Sequence, residues 1–250
     1  MERACDTREQ ELEARAQQPD ARPSMGFVEA TGAYGVQFGE TNYLPAGAVG
    51  SYQHPIVHGY SVGGTAGITL IPGLSVIANY EYTDARSRTG SIQGVVDEAQ
   101  GFIDYHTIVA GLRLSVPVGF GAIQAEVAGG VVLPFESELR LTYGAALAPL
   151  GIAGSGSMIE SYSVGFGGHG MIGYRIPIFD VFYTAINFKL RTFQSENSGE
   201  RTVLRNFVTD FEAQPPVATD GEVIHGEGAE RPLTTSVQDV RLQLAIGAQF

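Results

Sequence analysis

The sequence predicts an all-β fold, an eight-stranded antiparallel up-and-down β-barrel that spans a membrane. Three observations predict it. Apolar residues recur at every second position in eight separate stretches, short and long connections alternate strictly between them, and the polar face of each stretch is small and nearly uncharged. A strand places successive side chains on opposite faces, so period two marks a strand with two unlike faces.

Taken in order, the first strand is "FVEATGAYGVQF" at 27–38. The second, "YSVGGTAGITL", sets Tyr60, Val62, Ala66, Ile68 and Leu70 against Ser61, Thr65 and Thr69. The third, "LSVIANYEY", sets Leu74, Val76, Ala78, Tyr80 and Tyr82 against Ser75, Asn79 and Glu81. "HTIVAGLRLSV" and "AIQAEVAGGVVL" follow, with Arg113, Gln124 and Glu126 on their polar faces. "YSVGFGGHGMIGYRI" sets Tyr162, Val164, Phe166, Ile172 and Tyr174 against Ser163, His169 and Arg175. "VFYTAINFKLR" carries Asn187, Lys189 and Arg191 on its polar face, and the chain closes on "VRLQLAIGAQF".

Three connections are tight and contain proline: "IPGL" at 71–74, "VPVGF" at 116–120 and "IPIFD" at 176–180. Four are long, at about 40–57, 84–102, 135–161 and 192–234. A soluble sandwich has no reason to collect its short turns at one end. A transmembrane barrel does.

Composition agrees. The 250 residues are 17% charged, include 33 glycines and no tryptophan, and carry a net charge of −12. That charge argues against a nucleic-acid partner, whose phosphates need a basic face. No apolar run reaches the roughly 18 residues of a spanning helix. Spanning strands leave no such trace, because alternation averages their hydropathy toward zero.

The organisation expected is a polar N-terminal extension over 1–25, periplasmic and mobile, and a barrel domain over 26–250. The extension holds Cys5, the one cysteine, which has no partner for an internal disulfide, and it lacks the apolar core of a secretory signal.

Face content sets the orientation. Soluble barrels point apolar residues inward and charge outward. Here the polar face is Gly, Ser, Thr, Ala and Gln, with scattered Glu29, Glu81, Glu126, Arg113, Arg175, Lys189, Arg191 and Arg241. That is too sparse for a soluble exterior and suits a narrow interior, so the apolar face is expected to meet lipid. Charges in a dry lumen need partners. Glu81, Arg113, Glu126, Lys189 and Arg241 are therefore expected to form one pairing network that plugs the lumen. Counted from the short turns, Glu81, Arg113 and Glu126 stand at similar heights, with Lys189 and Arg241 slightly higher. Arg113 and Glu126, on strands joined by "VPVGF", are expected to pair directly.

In strand count, turn asymmetry and closing strand, residues 26–250 resemble the eight-stranded outer-membrane barrels of Gram-negative bacteria, of the outer-membrane protein A, protein X and opacity-protein type. The resemblance implies short periplasmic turns, long extracellular loops and residence in the bacterial cell outer membrane among its lipids and lipopolysaccharide. In that family the last strand ends on an aromatic residue and is read by the barrel-assembly machinery. Leu242, Leu244, Ile246, Ala248 and Phe250 match that pattern, which makes them the expected C-terminal assembly signal. Tyr60, Tyr80, Tyr82, Tyr162, Tyr174, Phe182 and Phe250 are the candidates for aromatic girdles that lack tryptophan. The peptidoglycan-binding domain that some relatives carry is not expected here.

Other motifs weigh little. "GFGGHG" at 165–170 matches a dinucleotide-binding string in form, but it lies inside a strand rather than before a helix. His169 is expected as an inward, hydrogen-bonded filler. The His-x-Ser pair of barrel lipid A deacylases is absent, and no nucleophile has a base beside it. No catalytic residue, cofactor or metal is expected. The function expected is structural or surface-interacting, with a possible protein partner at the extracellular loops; the alternative is a small solute pore. The segment 192–234 holds eight acidic residues against three arginines, so it suits a basic or cation-bridged partner.

Overall fold

Alternation of small or apolar side chains along most of the chain leaves strands as its regular structure. The structure, a computed structural model, describes residues 25–38, 57–89, 96–145, 154–205, 208–210, 217–219, 222–223 and 234–250. The expectations for Cys5 and the N-terminal extension lie outside the described residues, apart from Met25. So does nearly all of the 40–57 connection.

The strands are β1 (Gly26–Phe38), β2 (Val57–Ile71), β3 (Leu74–Thr89), β4 (Val96–Val118), β5 (Gly121–Val132), β6 (Phe135–Tyr143), β7 (Ser155–Tyr162), β8 (Gly165–Pro177), β9 (Phe182–Arg205), three short pieces β10 (Val208–Asp210), β11 (Val217–Thr219) and β12 (Glu222–Val223), and β13 (Thr234–Gln249). Eight of them close a ring in the order β1-β2-β3-β4-β5-β8-β9-β13, every neighbouring pair antiparallel. The last strand seals the first, and Gly26 and Phe250 exchange two backbone hydrogen bonds of 3.0 Å. Closure leaves the ring without an edge.

The stagger can be followed residue by residue. From Arg113 the paired positions run through Glu126, Met171, Lys189, Arg241, Gly35, Gly59 and Ala85 to Ile103, ten residues from Arg113 on the same strand. Ten residues at about 3.3 Å each, set against eight strands about 4.8 Å apart, tilt the strands by about 40°. Such a barrel is just wide enough for side chains to fill.

At one end the strands join through tight turns at 72–73, 119–120 and 178–181. Gly73 (φ 85°) and Gly119 (φ 62°) sit in the left-handed region that glycine enters without strain. At the other end β3, β4 and β9 run on beyond the expected boundaries, so residues 84–89, 96–102 and 192–205 are strand. β6 and β7 add a hairpin inside the expected 135–161 loop, continuing the wall between β4 and β9. Hydrogen bonds to neighbours carry the ladder past the point where outward residues turn polar, and the apolar signal stops there.

One face assignment is corrected. Proline cannot donate to the ladder, and Leu133–Pro134 separates β5 from β6, shifting the pairing with β4 by one residue. Ser163 and Val164 separate β7 from β8. Parity reverses across both breaks, so Tyr162, expected on the lipid face, is buried inside and stacks on Phe135 at 4.8 Å.

Outward positions form an uncharged belt. It covers Leu74–Tyr82 on β3 and Phe182–Leu190 on β9, nine residues each, and Ile108–Val118 on β4 and Val240–Phe250 at the C-terminus, eleven each. A spanning strand needs about 9–11. Val62, Ile68, Leu112, Val127, Phe166, Ile172, Phe188, Leu244 and Ile246 all stand exposed on it. Glu81, Arg113, Glu126, Lys189, Arg191 and Arg241 are all buried on the other face. Apolar outside and charged inside is the arrangement of a membrane barrel.

Candidate functional site: the barrel lumen

The inward positions build three layers. Nearest the short turns, Arg113 on β4 donates from Nη1 to Glu29 Oε1 (2.6 Å) and from Nε to Glu126 Oε2 (2.7 Å). Tyr183 donates its hydroxyl to Glu29 Oε1 (3.0 Å), and His169 Nε2 lies 2.6 Å from Glu126 Oε1. The Arg113 guanidinium also covers the Phe27 ring at 4.7 Å. Arg113 and Glu126 are directly paired on adjacent strands, as expected from sequence. Glu29 is reached across the lumen, because β1 stands three strands from β4.

Higher up, Lys189 Nζ donates to Glu81 Oε2 (2.8 Å), and Arg191 Nη1 bonds Glu81 Oε1. Arg191 Nε donates to Asp239 Oδ1 (2.9 Å) and its Nη2 to the Tyr105 hydroxyl (2.8 Å). Arg241 Nη2 pairs with Asp239 Oδ2 at 3.0 Å, while its Nη1 lies 3.9 Å from Glu81. β9 and β3 are four strands apart in a ring of eight, so Lys189 and Arg191 meet Glu81 across the full width of the barrel. Two residues nearer the short turns than Glu126, Lys189 and Arg241, a row of amides crosses the lumen: Gln124 donates to Asn187 (2.6 Å) and Asn187 to Gln243 (3.1 Å).

The third layer is apolar. Ile103, Tyr105, Val132, Phe135, Tyr162 and Phe193 are buried together at the long-connection end. Gly167, within "GFGGHG" on β8, makes room for it: a Cβ there would stand 2.1 Å from the Thr192 carbonyl oxygen and 2.7 Å from the Phe193 ring. Gly165 and Gly168 are likewise closely approached by neighbouring backbone, so three of the string's glycines serve the wall, whereas a Cβ at Gly170 would meet nothing within 4 Å.

Charges balance across the two ionic layers taken together, the lower holding two carboxylates to one guanidinium and the upper two carboxylates to three cations. Glu29, Glu81, Glu126 and Asp239 face Arg113, Lys189, Arg191 and Arg241, all nine-tenths or more buried. The expected single network is corrected to two clusters. Counting from the turns ignored the stagger, which lifts Glu81 away from Arg113 and level with Lys189 and Arg241. Five partners were missing from the expected set, Tyr183 on β9 among them. Glu29 and Arg191 stood on the right face without being assigned to the network. Asp239 lay two residues before Arg241, and extending the alternation would have found it. Tyr105 lay between the expected 84–102 connection and the strand expected from His106, assigned to neither. Among the described residues no group of three His, Cys, Asp or Glu is placed to hold a metal ion.

Leu242, Leu244 and Ile246 are exposed on the lipid face of β13, with Phe250 after them. Ala248 shares that face.

No family model matches the chain, and no curated protein matches it. Among solved structures it is similar to Neisserial surface protein A (10% identity; 91% of this chain and 98% of that chain covered; TM-score 0.41). It is also similar to the outer membrane protein OprG from Pseudomonas aeruginosa (11%; 91% and 97%; TM-score 0.45) and to Ail, the attachment invasion locus protein of Yersinia pestis (11%; 91% and 99%; TM-score 0.37). The eight-strand ring itself establishes the fold. It is the fold of an eight-stranded outer-membrane β-barrel. An apolar outer band, short turns at one end and long connections at the other place such a barrel in the bacterial outer membrane.

Proposed function

We propose that the protein is a closed outer-membrane barrel with a structural and surface-interaction role: a rigid, plugged scaffold that holds its long connections outside the cell. The observation that carries this is the bridging of the lumen between opposite strands by Lys189, Arg191 and Glu81, with an apolar layer above. A solute path would need those pairs broken, and an uncompensated buried charge costs several kcal/mol, on the order of 3–5. Function then falls to the connections, since binding residues collect on loops positioned by a rigid scaffold. The acidic 192–234 segment gives that surface a preference for a basic or cation-bridged partner, weakening as salt rises.

β13, with Leu242, Leu244, Ile246, Ala248 and Phe250 on one face, serves in this account as the strand read by the barrel-assembly machinery. It is also the strand whose pairing with β1 completes the ring. The test of the plugged scaffold is single-channel recording in planar bilayers. The folded protein should give no stepwise conductance. Stable open channels from the wild type would overturn the closed-scaffold reading in favour of a solute pore.

A further inference from the structure

The outer face is not uniform around the barrel. At the height where the uncharged belt ends on the long-connection side, β1–β4 carry Tyr34, His58, Tyr60, Tyr80, Tyr82 and His106 outward. The corresponding outward positions on β5, β8, β9 and β13 are Val131, Phe166, Thr192 and Val240. An aromatic girdle that only anchored the barrel would be drawn all round it. This one is dense over β1–β4, whereas the other half of the circumference contributes Phe166 alone among those four positions.

Its members are organised against one another. Tyr34 and Tyr60 are directly paired across β1 and β2, and Tyr34 stacks with His58 at 6.2 Å and 14°. Tyr80 bonds His106 Nδ1 at 2.7 Å, and Tyr82 tilts onto the same imidazole at 5.0 Å. Tyr60 donates its hydroxyl to Asp84 (2.9 Å), and Arg86 clamps that carboxylate from the other side at 3.0 Å. Just above, Phe102 lies between the Arg86 and Arg140 guanidiniums, 5.8 and 4.6 Å from its ring centre. Tyr34, Tyr60 and Tyr80 are still about half exposed. Below them the wall is low, since Ala30 pairs with Gly64, and Ala66, Ala78 and Ala110 pair in one row. A Cβ added at Gly32 would meet nothing within 4 Å.

We propose that this face of β1–β4 binds the sugar headgroup of an outer-leaflet glycolipid. The tyrosine and histidine rings offer flat faces for the C–H side of sugar rings. Asp84 and the imidazoles accept from and donate to hydroxyls, and Arg86 and Arg140 supply fixed cationic donors. The low strip beneath gives the acyl chains a bed that continues into the bilayer. The acyclic headgroup of phosphatidylglycerol has no ring to stack, so the arrangement selects the sugar over it. Position fixes the occupant, because a face at the boundary of the belt meets lipid headgroups first. The proposal is independent of whether the lumen conducts or what the connections bind.

The experiment is native mass spectrometry of the refolded barrel in mixed micelles with either of two probes, a phosphorylated glucosamine-disaccharide lipid or phosphatidylglycerol. Wild type should retain the glycolipid at least about tenfold over the phospholipid. The variant Tyr34→Leu/Tyr60→Leu/Tyr82→Leu should lose that preference, while Phe166→Leu/Phe188→Leu on the opposite side keeps it. The exposed pair His58→Ala/Arg86→Ala, which removes no buried contact, should also reduce retention and guards against a folding defect in the triple variant. Equal retention of the two lipids by wild type, or undiminished preference in both β1–β4 variants, would overturn the proposal.

Discussion

Lys189 on β9 and Glu81 on β3 meet at 2.8 Å across the full width of the barrel, with Arg191 bonded to the other oxygen of the same carboxylate. One carboxylate therefore holds two cations from the opposite wall. Replacing Glu81 with Gln leaves Lys189, Arg191 and Arg241 with Asp239 as the one carboxylate of their cluster. The expected loss is on the order of 3–5 kcal/mol. Urea unfolding in detergent micelles should show it as a lowered midpoint, and an unshifted midpoint would mean the lumen is wet enough to solvate the cluster.

The lower cluster predicts an asymmetry. Arg113 serves both Glu29 and Glu126, whereas Glu126 also has His169. Arg113→Met should cost more than Glu126→Gln, because it deprives two buried carboxylates of their guanidinium. The double variant should cost clearly less than the sum, with a coupling of about 1 kcal/mol or more. Additive losses would show that the two side chains do not interact in solution.

These clusters also mark where the sequence was legible. Period two gave the strands, their faces and the direct Arg113–Glu126 pair, because all three depend on neighbours in one hairpin. Which charges meet across the lumen depends on the ten-residue stagger summed over eight strands. No local pattern encodes that sum, so Glu81 was grouped with the wrong cluster. Tyr162 failed for a local reason, the strand breaks at 133–134 and 163–164, which reverse the parity on which alternation relies.

The apolar layer makes a separate prediction. Phe135 packs against Tyr162 and Tyr105 at 4.8 and 5.8 Å. Phe135→Ala should open a cavity there and cost about 3–5 kcal/mol, the usual range for a buried phenylalanine. Thermal scanning of the gel-resolved folded band should register the loss. An unchanged profile would show that the upper wall contributes nothing to stability.

At the C-terminus, Phe250→Asp tests the assembly role of β13. Its backbone pairing with Gly26 does not require an aromatic side chain. Refolding into detergent should therefore stay close to wild type, while the amount recovered in purified outer membranes falls severalfold. Wild-type recovery from outer membranes would refute the role.

The claim on which everything else depends is that the uncharged belt lies in lipid, and the absence of tryptophan from the chain makes it directly measurable. Single tryptophans would be placed at Leu112, exposed within the belt, and at Phe102, above it beside the arginines. Each variant would be reconstituted into bilayers of lipids brominated midway along their chains. Strong quenching for Leu112→Trp with little for Phe102→Trp is the result this account predicts; equally weak quenching at both positions, from protein that has folded, would contradict it.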